Sequence, residues 1–152
     1  MKTAMELKNG LEGERLQGQV LLLVRLLLAP LFIYSGIGKM LAFGLTASRL
    51  PGGEGGLGSF MAAGSIAVEL GCAAAVILGI WTRWAAIILI AFTIAATLMF
   101  HQFWAVPAPQ VQGQTIHFLK NLGLIGAFAM IAVFGAGSYS LDARREIKSK
   151  SQ

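Results

Sequence analysis

The sequence predicts an all-α integral membrane four-helix bundle, and three observations carry that prediction. Of 152 residues, 56% are hydrophobic and only 12% charged. A usual soluble domain carries about a quarter charged residues, so this chain has too little polar surface to wrap a water-soluble globule. Four apolar runs, at about 20–43, 60–80, 84–104 and 117–137, each supply the roughly 20 residues that a helix needs to cross a bilayer. The basic residues gather at chain ends and helix flanks. Despite a formal net charge of +5, that placement fits an anionic membrane surface and not a nucleic acid.

The elements follow in order. A polar segment of mixed charge, 1–19, precedes the first run. That run lacks the short apolar core and small-residue cleavage site of a signal peptide, so it reads as a retained helix. Pro30 removes a backbone donor and predicts a kink there. The first connection, 44–59, is glycine-rich and contains Pro51. Its run Pro51-Gly-Gly-Glu-Gly-Gly-Leu-Gly58 follows no strand and precedes no Lys-Ser/Thr, so it is a flexible loop and not a phosphate cradle. The second connection, Trp81-Thr82-Arg83, forces the second and third spans into an antiparallel hairpin. The third, near 105–116, holds Pro107, Pro109 and three glutamines, and a basic tail occupies 138–152.

An even number of spans puts both termini on one side, together with the second connection. That side holds Lys2, Lys8, Arg15, Arg83, Arg144, Arg145, Lys148 and Lys150, and the opposite loops hold only Arg49. Eight against one predicts that both termini are cytoplasmic. Trp81, Trp84, Trp104 and Tyr139 fall near the predicted boundaries, as interfacial aromatics do.

Ionisable residues within a span are costly and mark either function or helix packing. Arg25 and Lys39 lie fourteen residues apart on one face of the first span. Arg25 is toward the cytoplasm and Lys39 toward the outside, where each could snorkel or turn inward. Glu69 lies mid-span in the second helix, too deep to snorkel. The same helix has Ala63, Ala67, Gly71, Ala75 and Gly79 at every fourth position, a small-residue face that suits close helix approach. At about 100° per residue this face points away from Glu69, which suggests a homo-oligomer contact. Thr93, Thr97 and His101 form a narrow stripe on the third span, whose threonines could simply bond their own backbone. His117, Lys120 and Asn121 open the fourth.

The topology puts Lys39, His101 and Lys120 at similar depth, with Glu69 about 7–8 Å deeper. The four candidate cavity residues are therefore Lys39, Glu69, His101 and Lys120. Arg25, Thr97, His117 and Asn121 are secondary. One reading is a site for a polar head group in which His101 and Glu69 exchange protons. The other is a satisfied network that only fixes helix packing.

Several chemistries are excluded or disfavoured. Cys72 is the only cysteine, so there is no internal disulfide or CxxC pair, and its apolar setting suits a packed residue. Haem between His101 and His117 is disfavoured, since both lie near a membrane surface with a short loop between them. There is no Ser/His/Asp set, paired-carboxylate site or metal motif.

Laid out in order, these residues resemble the DoxX family of small membrane proteins. The elements are Arg25-Leu-Leu-Leu, Ser35-Gly-Ile-Gly-Lys39, Glu69-Leu-Gly, Leu78-Gly-Ile-Trp-Thr-Arg83, His101, Phe118-Leu-Lys-Asn-Leu122 and Phe134-Gly-Ala-Gly-Ser-Tyr-Ser-Leu-Asp142. The chain has Gly135-Ala-Gly137 where relatives often have Gly-Pro-Gly. The resemblance implies a four-helix protein of the bacterial inner membrane, and Arg25, Lys39, Glu69 and His101 match recurrent polar positions. It also implies an association with oxidoreductases, including quinone-linked ones. Two functions follow as expectations. The first is a redox-associated subunit that binds a quinone, has no covalently bound cofactor and takes electrons from a partner oxidoreductase. The second is a non-enzymatic scaffold or assembly partner. A small transporter ranks lower, because inverted halves and broken helix pairs are missing.

Overall fold

The computed structural model describes residues 4–150, all of them helix, turn or irregular chain with no strand. The helices are α1 (Ala4–Leu41), α2 (Phe43–Ser48), α3 (Leu57–Leu78), α4 (Thr82–Phe100), α5 (Ala108–Phe134) and α6 (Leu141–Lys150). Gly10–Leu41 of α1 and the whole of α3, α4 and α5 are long and apolar enough to cross a membrane. Most of their apolar surface faces outward, with residues such as Leu27, Tyr34, Phe60 and Val133 exposed. Lipid, not protein, is the solvent that suits those faces.

Several elements differ from expectation for identifiable reasons. The segment before the first span is rich in Glu, Leu, Lys and Gln, good helix formers, so α1 starts at Ala4 and runs unbroken into the span. The helix also continues through Pro30. The first connection contains α2, which packs on α3. The fourth span starts two turns earlier than its apolar run, because Pro107 is the N-cap of α5 and Pro109 sits in its first turn. Proline is tolerated there, where its missing N–H costs no helical bond. The glutamines of that connection are thus helical.

At the tight connection Gly79 ends α3 in a left-handed conformation (φ 68°), with its N–H on Val76 O and that of Ile80 on Ala75 O. This is a glycine C-terminal motif. Trp81 follows, also left-handed (φ 47°), which is uncommon for a residue with a side chain.

α1 lies along α3, α4 lies along α5, and α3 joins α4, whereas α1 and α5 barely meet. The core is Ala29, Phe32, Ala73, Val76, Ala85, Ala86, Leu89, Phe128 and Ile131. Phe32 and Phe128 meet edge to face at 5.5 Å, the main bridge between the first and last spans.

Candidate functional site

The small face of α3 separates into two parts. Ala63, Ala67 and Gly71 are exposed, and a Cβ at Gly71 would meet nothing within 4 Å. Gly79, by contrast, is buried, and a Cβ there would strike Arg25 Nη1 and Ser140. Gly79 therefore belongs to the interior contact and not to an outward stripe. Ala75 is half-buried against the core.

Arg25 does not snorkel. It is fully buried and donates from Nη1 to Val76 O (3.2 Å) and Ile77 O (3.3 Å), and from Nη2 to Tyr139 O (2.5 Å). These α3 carbonyls lie in the last turn, where the helix runs short of intrahelical donors; Val76 O also accepts from Gly79 N–H. Arg25 thus ties α1 to the end of α3 and to the α5–α6 turn. Beside it, the Asp142 carboxylate accepts from Trp81 N–H (2.9 Å), Thr82 N–H (3.0 Å) and Thr82 Oγ1 (2.9 Å). It caps the start of α4 from the far end of the chain. Burial pushes the Asp142 carboxyl up, but the Thr82 and Trp81 donors and the Arg145 charge outweigh it and hold the group below its ordinary value. Asp142 as a cap was not anticipated from the sequence. The sequence marks the segment that carries it, 138–152, only as a basic tail.

At the other end, Lys39 Nζ stands 2.6 Å from both carboxylate oxygens of Glu69 and donates to Ser35 Oγ at 2.8 Å. Ser35 Oγ donates in turn to Glu69 Oε1 at 2.9 Å. Glu69 is 3% exposed and Lys39 29%, so only the cation side of the pair faces open space. Lys39 also lies 5.7 Å from the Phe92 ring centroid. Gly36 makes this reach possible. A Cβ there would come within 2.8 Å of the Leu70 side chain and 3.3 Å of Glu69 Cβ, so glycine lets α1 approach α3 this closely without displacing Leu70.

Across from the ion pair, His101 Nδ1 hydrogen-bonds Gln114 Oε1 at 2.8 Å. With that oxygen accepting, Nδ1 is the donor in this bond. The His101 and His117 rings stack at 5.0 Å. Asn121 Nδ2 donates to Thr97 Oγ1 (2.8 Å). Thr97 and Thr93 donate back to Thr93 O and Leu89 O, satisfying their own helix.

One cavity of about 630 Å³ takes in Lys39, Glu69, Ser35, His101, His117 and Asn121, with walls that include Phe32, Val68, Phe92 and Leu124. Arg49 stands at its edge. Of the expected residues, the structure brings Lys39, Glu69 and His101 together and adds His117 and Asn121. Lys120 is exposed and outside the lining, which corrects its place in the cavity. His117, Asn121 and Leu124 form an i, i+4, i+7 face that Lys120 does not share. Thr97 supports Asn121 from behind the lining, and Arg25 is at the opposite end. Ser35 and Arg49 were missed, although Ser35 stands four residues before Lys39, the spacing of helical neighbours. Among the described residues no three His, Cys, Asp or Glu side chains converge as a metal site would need.

Comparison with known proteins turns on this same stretch of chain. The family model of DoxX matches residues 20–102, more than half of the chain. This protein belongs to the DoxX family. It is 30% identical to inner membrane protein YphA of Escherichia coli (strain K12) over 125 residues, 82% of this chain and 89% of that protein. It is also 30% identical to inner membrane protein YqjF of the same organism over 129 residues, 85% of this chain and 94% of that protein. No solved structure matches. The DoxX match contains Arg25, Ser35, Lys39, Glu69 and His101 and stops before the α5 residues of the cavity.

Proposed function

We propose that this DoxX-family chain is an inner-membrane protein with both termini cytoplasmic, and that its outer-half cavity binds the ring of a lipid-soluble quinone beside a partner oxidoreductase. The location rests on the names of its two relatives and on the four apolar helices. The orientation rests on the eight-to-one bias of basic residues.

The observation that carries the quinone reading is the amphipathic make-up of the cavity. Its volume falls within the range of about 300–1,000 Å³ for small-molecule sites, and it is apolar with a few convergent polar groups, as such sites are. The Lys39 ammonium is the exposed donor for a ring oxygen, with Glu69 fixed behind it. His101 and Asn121 face the other side of the ring. Reduction of a quinone takes two electrons and two protons. The partner oxidoreductase supplies the two electrons, and the two protons are drawn from water at the open side of the cavity and relayed to the ring oxygens by His101 and by the Lys39–Glu69 pair.

The test is the quinone content of protein kept in lipid nanodiscs from its own membrane, by solvent extraction and mass spectrometry. Near-stoichiometric quinone in the wild type, lost in folded Lys39→Met and Glu69→Gln, is the expected result. Trace amounts in all three would refute the reading. A second reading, a non-enzymatic scaffold, draws on the mutual satisfaction of Lys39, Glu69 and Ser35 without a ligand. It requires that Glu69→Gln lower folded protein and phenotype together and leave no folded, inactive species.

A further inference from the structure

A second cavity, of about 580 Å³, lies at the α3–α4 connection, away from the Lys39–Glu69 site. Its lining includes Trp81, Arg83, Trp84, Gly135, Ser138 and Arg145. Three features set its chemistry.

First, it holds two guanidinium groups, of which Arg145 also acts electrostatically on the nearby Asp142 carboxylate. Arg83 and Arg145 make no hydrogen bond or ion pair among the described residues, although Glu146 shares the lining. The other carboxylate there, Asp142, is already engaged by the first residues of α4. Second, the backbone makes room for one of these cations. Gly135 has φ +80°, and a Cβ there would stand 3.4 Å from Arg83 Nε, so Arg83 lies directly across a glycine. Third, two indoles flank the cavity and face out. Trp81 is 70% exposed and Trp84 69%. Trp81 is held in its left-handed conformation by the bond from its N–H to Asp142.

Tryptophans of this kind sit at the level of lipid head groups. A guanidinium is a planar fork that matches phosphate oxygens. Basic pockets between spanning helices bind phosphorylated head groups. We propose that this cavity holds the phosphodiester of an anionic glycerophospholipid, with Arg83 and Arg145 on the phosphate and Trp81 and Trp84 against the glycerol and upper acyl chains. The proposal is independent of the quinone reading and uses neither Lys39 nor Glu69.

The test is native mass spectrometry of the full chain in mild detergent, exposed to equimolar phosphatidylglycerol and phosphatidylethanolamine. The wild type retains phosphatidylglycerol in preference. Arg83→Gln with Arg145→Gln lowers that retention about twenty-fivefold, taking about fivefold for each basic residue lost at a membrane surface. Lysine at both positions keeps the charge and restores part of it. Far-UV circular dichroism establishes that the variants are folded. If the double variant does not fold, Arg145→Gln alone, on the exposed side of α6, gives about a fivefold loss. Equal retention of the two lipids overturns the proposal, as does unchanged retention in the folded variants. Displacement of the lipid by millimolar inorganic phosphate would assign the site to a free anion and overturn it too.

Discussion

Replacing Asp142 by alanine should loosen the turn between α3 and α4 although residue 142 is in neither helix. The carboxylate accepts three hydrogen bonds, two from backbone N–H groups at the start of α4 and one from the Thr82 hydroxyl. Losing an N-cap acceptor costs about 0.5–2 kcal/mol, and losing a negative charge at a helix N-terminus adds about 0.3–1 kcal/mol. Thr82 is fully buried, so its hydroxyl and N–H find no water in exchange, which favours the upper end. Asp142 itself is half-buried, and solvent screening trims the charge contribution. Together these give about 2–3 kcal/mol for Asp142→Ala, and about 1 kcal/mol for Asp142→Asn, which keeps an acceptor. Reversible unfolding by sodium dodecyl sulfate in mixed micelles, followed by far-UV circular dichroism, measures both. The pH dependence provides a second check. The folded carboxyl lies below its ordinary value of 3.8, so its contribution is complete above that value and is lost as pH falls through the lower folded value. The wild type should therefore lose stability below about pH 4 more steeply than Asp142→Asn. A loss under about 0.5 kcal/mol for Asp142→Ala, within the range of ordinary surface changes, would refute the cap.

Other outcomes follow from the same geometry. Lys39→Met leaves the buried Glu69 carboxylate without its cation and should cost about 3–5 kcal/mol, whereas Lys39→Met with Glu69→Leu should recover most of it; a double variant no more stable than the single would show that the pair is not coupled. Gly36→Val should separate α1 from α3 and cost about 1–3 kcal/mol, and disulfide crosslinking between cysteines placed on the two helices should report the gap. Lys120→Ser should leave unfolding within about 0.5 kcal/mol of wild type and leave quinone content unchanged, as suits an exposed residue outside the cavity.

The spans were legible because hydropathy is a one-dimensional signal, and Lys39 and Glu69 because charge inside an apolar run is conspicuous. Depth along a helix could also be counted, which placed His101 with them. For α5 the direction around the helix decides which residues reach the cavity. Counting depth alone admitted Lys120, while the 117, 121, 124 face would have selected His117 and Asn121. Ser35 is inconspicuous in the sequence because one hydroxyl in a span is common and carries no charge. The cap by Asp142 and the carbonyl contacts of Arg25 join residues far apart in sequence, and no local pattern announces such a pairing. Pro107 and Pro109 resemble loop markers in the sequence, yet at the N-cap and in the first turn of α5 they are compatible with helix.

The ties around Arg25 also impose an order on biogenesis. Arg25 bonds Tyr139 across 114 positions, and Asp142 bonds Thr82 across 60. A nascent chain with three helices already in the membrane therefore still has an unsatisfied guanidinium donor and bare amides at the head of α4. Only the residues made after the fourth helix supply the acceptor for Arg25 Nη2 and the carboxylate for α4, while Arg25 Nε stays buried without a partner among the described residues. The fold is closed by a turn made after all four spans, so a chain stopped short of residue 139 would expose polar groups that a membrane protease can recognise, and such copies would be distinguishable from closed ones.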